Sequence, residues 1–310
     1  MKEIYKTFDE TGLVQLSEFE EGAWINLCNP TPQEINEVAT EFNIETNHIL
    51  SALDEEERAR IEVDDNCTVI IVDVPIKDEE GHNGYETIPL TIIIGDKYII
   101  TTCLQRIQLL EDFKSGKIKG FFTFKKTRFI LQLLYKNASY FLQYLRHIDR
   151  LSHQMEAELH KSMRNKELLQ LFDLEKSLVY FTTSLRANEI VLEKMMRMEN
   201  IKRYPEDEDL LEDVIIENKQ AIEMANIYSN ILGGTMNAFS SIISNNLNIV
   251  MKTLTSITII MAIPTMIGSF WGMNVSVPFE NSPHAFSGII FISTLITAMI
   301  AFIMIKKKLF

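Results

Sequence analysis

TLTSITIIMAIPTMIGSFWGMNVSVPF, residues 253–279, and NSPHAFSGIIFISTLITAMIAFIMI, residues 281–305, contain no Asp, Glu, Lys or Arg and are parted only by Glu280. A helix needs about 20 mostly apolar residues to cross a bilayer, and both stretches are long enough. The chain before them is rich in charge, so the reading is a membrane hairpin following a large water-exposed part. Lys252 precedes the first span and Lys306, Lys307 and Lys308 follow the second, while residues 272–285 carry neither Lys nor Arg. Short basic flanks stay in the cytoplasm. Both termini are therefore expected inside and the turn outside, in a multi-pass protein of the cell membrane.

Composition narrows the function. Met1 to Asp9 is charged and holds no apolar run, so no cleaved secretory signal is expected. Cys28, Cys67 and Cys103 are widely spaced, with no CxxC pair, and read as reduced core cysteines. A formal charge of -13 repels nucleic acid and attracts cations. There is no Gly-rich loop ending in Lys-Ser or Lys-Thr, no HExxH and no GxSxG, so neither a nucleotide-driven pump nor an enzyme is expected.

The water-exposed part divides by hydrophobic period. Residues 1–126 read as a cytoplasmic α/β domain. Trp24-Ile25-Asn26-Leu27 and Cys67 to Pro75 are strand-like, Leu90 to Cys103 reads as a hairpin turning at Gly95-Asp96, and Thr31 to Phe42 reads as a helix with a capping Thr and an N-terminal Pro. From 127 to 204 apolar residues recur at three and four, including Ile130, Leu134, Phe141, Leu145, Ile148, Met155 and Leu159. This predicts an antiparallel helical pair broken near Arg164-Asn165. His147, His153 and His160 do not share a face and are expected to be solvated rather than metal-bound. Pro205 and the acidic run after it start a further helix. It serves as a stalk over 205–252 and as the first span over 253–271, with Gly233-Gly234 as its weak point. An outer loop at 272–285, a second span at 286–305 and a basic tail at 306–310 complete the chain.

On a helical wheel, Asn248, Met251, Thr255, Thr258, Ala262, Thr265, Met266 and Ser269 occupy a sector of about 100° that holds nearly all the polar side chains of the first span. The competing explanation is close helix packing in lipid, which favours small and hydroxylated residues. Two features favour a pore. Amides bracket the stripe, at Asn248 and at Asn274, and a two-helix chain encloses a water path only by oligomerising.

Gly272-Met273-Asn274, placed between a penultimate span and a short outer loop, resembles the signature of the CorA family of divalent-cation transporters. Phe270-Trp271, the run from Asn248 to Thr255, Arg58-Ala59-Arg60-Ile61-Glu62 and Trp24-Ile25-Asn26-Leu27 extend the likeness over most of the chain. The resemblance implies a funnel-shaped homopentamer that takes up Mg2+, with Co2+ and Ni2+ as further substrates, driven by the membrane potential and gated by cytoplasmic Mg2+. It implies no cofactor beyond Mg2+ itself, as substrate and regulatory ligand. It makes Gly272, Met273 and Asn274 the selectivity filter and Asn248 an inner amide ring. It makes Met251 and Leu254 an apolar constriction, Thr255, Thr258 and Ala262 the lining between, and Asp213 a regulatory metal ligand shared with a neighbouring subunit. A neutral amide ring suits Mg2+, which sheds water reluctantly, because conduction requires release as well as capture. The sequence departs from the family at Trp271, at Pro264, at Asn237 in an often acidic position, and in an outer loop with Glu280 as its acid. The alternatives are a Zn2+ transporter of the same fold and a non-conducting, membrane-anchored sensor.

Overall fold

The computed structural model describes residues 1–8, 12–64, 66–77, 84–162, 165–198, 204–275 and 283–307, with the side chains of 160–162 and 165 excepted. It divides into two compact units, Met1–Thr235 and Met236–Phe310.

The first unit is built on a seven-stranded sheet: β1 Lys2–Phe8, β2 Gly12–Leu16, β3 Ala23–Cys28, β4 Arg60–Val63, β5 Cys67–Lys77, β6 Tyr85–Gly95 and β7 Tyr98–Cys103. The spatial order is β2-β1-β3-β7-β6-β5-β4, and of these neighbours β3 and β7 run parallel. Alternation with period two sends successive side chains to opposite faces. Ile70, Val72, Val74, Leu90, Ile92 and Ile99 join one core, and Val69, Ile71, Ile93 and Ile100 join the other.

Two short helices, α1 Pro32–Phe42 and α2 Thr46–Leu50, cover the second core with Ile35, Val38 and Ile49. α1 starts where the sequence says it should. Thr31 accepts from the Glu34 N–H at 3.3 Å and Glu34 accepts from the Thr31 N–H at 2.8 Å, a reciprocal capping box ahead of Pro32. The first core is closed by α3 Gln108–Lys114, α4 Lys126–Ser162, α5 Asn165–Met195 and the first part of α6 Pro205–Trp271. Phe113, Phe121, Phe129 and Trp24 pack there as a cluster of tilted and edge-on rings with centroids 4.6–6.2 Å apart. Phe141 of α4 meets Phe181 of α5 edge to face at 5.0 Å, and Leu145, Leu171, Leu174, Leu178 and Leu185 are fully buried, so the three-and-four spacing of this region is core. Arg164, half of the expected break between α4 and α5, lies outside the described residues.

The β6–β7 hairpin turns at Gly95-Asp96 and pairs Ile94 with Ile99. Gly95 is dictated by contact, because a Cβ there would fall inside the ring of Tyr98. Lys126, first residue of α4, donates to the carbonyls of Gly95 and Asp96, both at 2.7 Å, and locks the turn to the helix. β1, β2, β4 and α3 were not expected from the sequence. α3 opens on Ile107 with no side-chain cap, and β4 has four residues, of which Arg60 and Glu62 bond each other at 2.8 Å.

β5 outruns β4, whose last partner on it is Ile71. Beyond that point Asn188 of α5 stands in for a strand: its amide accepts from the Asp73 N–H and donates to the Asp73 carbonyl, both at 2.9 Å, and Asn137 donates to the same carbonyl. Burial, opposed by a hydrogen bond from Ser184, raises the Asp73 carboxyl from 3.8 to about 6. A carboxyl held above its unfolded value helps the fold when protonated and loses that contribution as pH climbs from about 4 to about 6. Asp73→Asn should therefore raise stability at pH 7 by roughly 2 kcal/mol. Thermal unfolding of both proteins over pH 4–8 checks it, since the gain must grow through that window and vanish below it.

Gly233 and Gly234 leave α6 unbroken, and the division between the two units falls just after them, at Thr235. Gly234 has open space where its side chain would lie, and Leu232 beside the pair is buried, so packing outweighs a propensity cost of about 1 kcal/mol per glycine.

The second unit holds the remainder of α6 and α7 Ala285–Lys306. Both helices are long and apolar enough to cross a membrane. Glu280 and Lys308 lie outside the described residues.

Candidate functional site

Within the second unit α6 shows two different faces. Ser256 is buried, and Thr253, Ile260, Ile263, Ile267 and Trp271 are half-buried, all on one side. The matching side of α7 carries Ile289, Ser293, Ile296, Ile300 and Met304. At about 100° per residue, the sector from Asn248 to Ser269 is centred about 150° away from the first of these faces. Asn248, Met251, Leu254, Thr255, Thr258, Ala262, Thr265, Met266 and Ser269 are all exposed in the single chain. Packing against its own α7 is thus not what the hydroxyls and small residues of this stripe serve.

The hydroxyls have a defined orientation. Thr258 donates to the Leu254 carbonyl at 2.8 Å and Thr265 to the Met261 carbonyl at 2.9 Å. With the proton spent on the helix's own backbone, the oxygen lone pairs point outward, a surface that accepts hydrogen bonds and suits a cation with its water. Pro264, inside α6, supplies no N–H to the turn before it.

Asn248 and Trp271 are separated by about 35 Å of helix at 1.5 Å per residue, close to the thickness of a bilayer's hydrocarbon core. After Trp271 the chain leaves the helix. Gly272 N–H closes the last turn on the Gly268 carbonyl at 3.0 Å, and Gly272, Met273 and Asn274 are exposed at the end of α6. The chain turns at Gly272 without a left-handed backbone, because its φ is not positive. A Cβ there would stand 3.4 Å from the Gly268 oxygen, an ordinary contact, so the position does not demand glycine on steric grounds.

The stripe extends further than the wheel drawn from Asn248. Asn237, Ser240, Ser241 and Ser244 lie on nearly the same side of α6 and, with Asn245 and Asn248, line a shallow hollow of about 530 Å³. All are neutral, and carrying the wheel three turns back would have found them.

Asp213 belongs to the first unit. It is exposed on α6, one residue before the buried Val214. Among the described residues no group of three or more His, Cys, Asp or Glu converges to hold a metal ion, so Asp213 on one chain is a single carboxylate and not a complete site. Among the described residues, His147 and His153 do not converge on a shared site either. His147 hydrogen-bonds the hydroxyl of buried Tyr85 rather than water alone, His153 is exposed near Asp149 and Glu156 at 3.7 Å, and the side chain of His160 lies outside the described residues.

Comparison with known proteins gives a consistent result. The family model described as CorA-like Mg2+ transporter protein matches residues 19–307. The cobalt/magnesium transport protein CorA of Methanocaldococcus jannaschii is 27% identical over 273 residues, covering 85% of this chain and 83% of that one. The complete structure of the CorA magnesium transporter from the same organism superposes with a TM-score of 0.82 at 24% identity, over 98% of this chain and 96% of that one. The ZntB cytoplasmic domain from Vibrio parahaemolyticus shares the fold at a TM-score of 0.61 and 13% identity, over 79% of this chain and 96% of that one.

Proposed function

Because the chain belongs to the CorA-like Mg2+ transporter family, we propose that it is a homopentameric Mg2+ uptake channel that also passes Co2+, with the polar stripe of α6 lining its path. The observation that carries this reading is the placement of that stripe about 150° from the face α7 covers, with Asn248 near one end and Asn274 beyond the other. Several copies arranged round an axis put those residues on water and leave Ile257, Ile259 and the outer side of α7 to lipid or neighbouring helices.

In this reading Asn274 meets the ion at the outer mouth through its hydration shell, and Gly272 and Met273 set the corner that presents it. Thr258 and Thr255 pass the hydrated ion inward, Met251 and Leu254 form an apolar constriction that closes by dewetting, and Asn248 starts a neutral inner vestibule continued by Ser244 and Ser240. The membrane potential suffices as the driving force. A divalent ion gains about 4.6 kcal/mol per 100 mV of inside-negative potential, twice the value for one charge.

Proteoliposomes loaded with a Mg2+-sensitive dye test the proposal. Potential-dependent Mg2+ entry supports it, and zero flux with full insertion means the hairpin is an anchor and the protein a sensor. Zn2+ in the same assay separates the remaining alternative. The stripe holds no Cys or His, the ligands Zn2+ favours, so Mg2+ should be the better substrate.

Regulation falls to Asp213. Bound Mg2+ bridging this carboxylate to a neighbouring chain holds the assembly closed, and repulsion between unbridged acidic surfaces favours opening when Mg2+ falls. Asp213→Lys should raise the internal Mg2+ needed for half-inhibition about tenfold or more, equivalent to at least ~1.4 kcal/mol. An unchanged inhibition curve in loaded vesicles removes the regulatory role.

A further inference from the structure

The wide sequence spacing of the cysteines conceals a pair. Cys28 ends β3, Cys103 ends β7, and the two are direct partners in the parallel ladder. Side chains alternate between faces, so Trp24, Asn26 and Cys28 on β3 match Ile99, Thr101 and Cys103 on β7 as three rows on one face. Neighbouring strands lie about 4.8 Å apart, and a disulfide spans Cα separations of roughly 4.4–6.8 Å. The ladder thus sets the two Cα atoms within the range of separations that a disulfide spans.

The environments of the two sulfurs differ. Both are free thiols on facing ladder positions, with Cys28 half-exposed and Cys103 buried and 3.9 Å from the Leu27 carbonyl. Three cations act on Cys28: Lys114 from α3, the α-amino group of Met1, which donates to the Cys28 carbonyl at 2.8 Å, and Arg106. Three carboxylates face them. Glu3 and Glu111 hold Lys114 at 2.6 and 2.9 Å, Glu34 holds the Met1 amino group at 3.0 Å, and Glu111 also opposes ionisation of Cys103. The neighbouring Cys103 thiol, then the cations against the effect of burial, bring the Cys28 thiol down to about 7. The Cys103 thiol is driven strongly upward by the neighbouring Cys28 and by burial. Cys67 is buried against the opposite core, where burial and Asp64 raise its thiol, and it serves as an internal control.

We propose that Cys28 and Cys103 form a hydroperoxide-reactive thiol pair, with Cys28 as the attacking sulfur and Cys103 as the resolving one. Thiolate is the reactive form, and sulfenic acid condenses readily with an adjacent thiol. Cys28 attacks one oxygen of hydrogen peroxide; the S–O bond forms, the O–O bond breaks, and the leaving hydroxide takes a proton to become water. Cys103 then attacks the sulfenic sulfur; the S–S bond forms, the S–O bond breaks, and the departing hydroxide leaves as water with the Cys103 proton. The two thiols give up two electrons and the peroxide is reduced to two molecules of water. The site is independent of the ion path and tests separately from it.

The experiment uses the full chain in detergent micelles. Reduced protein is treated with a small molar excess of hydrogen peroxide, then denatured, alkylated with N-ethylmaleimide and mapped by peptide mass. The expected product is a Cys28–Cys103 linked peptide, reversible by dithiothreitol, with Cys67 still alkylated. Before oxidation, iodoacetamide at pH 7 should label Cys28 at least about tenfold faster than Cys67. Cys103→Ser should stop at a sulfenic acid on Cys28 that dimedone traps. Absence of the linked peptide from the oxidised wild-type protein, or labelling of Cys67 as fast as Cys28, overturns the proposal, and both measurements need no variant.

Discussion

Replacing Asn274 with Ala is expected to lower Mg2+ flux about 100-fold or more while the protein still inserts and assembles. A hydrogen bond to a charged partner contributes about 1.5–3 kcal/mol, and every 1.4 kcal/mol is a factor of ten. An oligomer loses one such contact per subunit in a single substitution, so even heavy discounting for non-additivity leaves two orders of magnitude. Asn274 is exposed beyond the end of α6, and among the described residues no packing of either unit rests on it. Loss of flux is therefore a statement about the ion and not about folding. Flux from dye-loaded liposomes, set beside the oligomer's elution volume, checks both halves; normal flux removes Asn274 from the path.

Leu254→Ser is expected to act in the opposite direction. Leu254 is 57% exposed in the single chain and Met251 53%, on the side of α6 away from α7. Apolar side chains at a constriction shut a pore by excluding water. A hydroxyl at 254 hydrates it, so leak at high internal Mg2+ should rise about tenfold or more, since wetting replaces a cost of the order of 1.4 kcal/mol or above. Steady leak through vesicles preloaded with Mg2+ is the readout. If the variant still closes as the wild type does, the gate lies elsewhere on α6.

The parts of this molecule that were legible in the sequence are those where one local signal decides. The capping box at Thr31 and Glu34, the Gly95-Asp96 turn, the Pro205 helix start and the uncharged spans each rest on a few adjacent residues. The stripe on α6 was legible because an exposed helix keeps strict angular bookkeeping, although starting the wheel at Asn248 cut off Ser240 and Ser244. What escaped was decided by distant partners. β4 exists because β5 offers it an edge, α3 is held by Tyr140 donating to buried Asp112 at 2.6 Å, and Asn188 completes a ladder from across the sheet. The pairing of Cys28 with Cys103 escaped for the same reason, since strand order and not spacing brings them together.

The four residues of β4 have a consequence under the ring assembly proposed above. A sheet whose outermost strand is long and apolar invites the same strand of the next molecule to zip onto it, and a ring holds such neighbours at high local concentration. Here that border is short, and its Arg60 is tied to Glu57 and Glu62. Lateral fusion of sheets is thereby discouraged, which is what the proposed assembly needs if its subunits are to crowd together and still shift against one another.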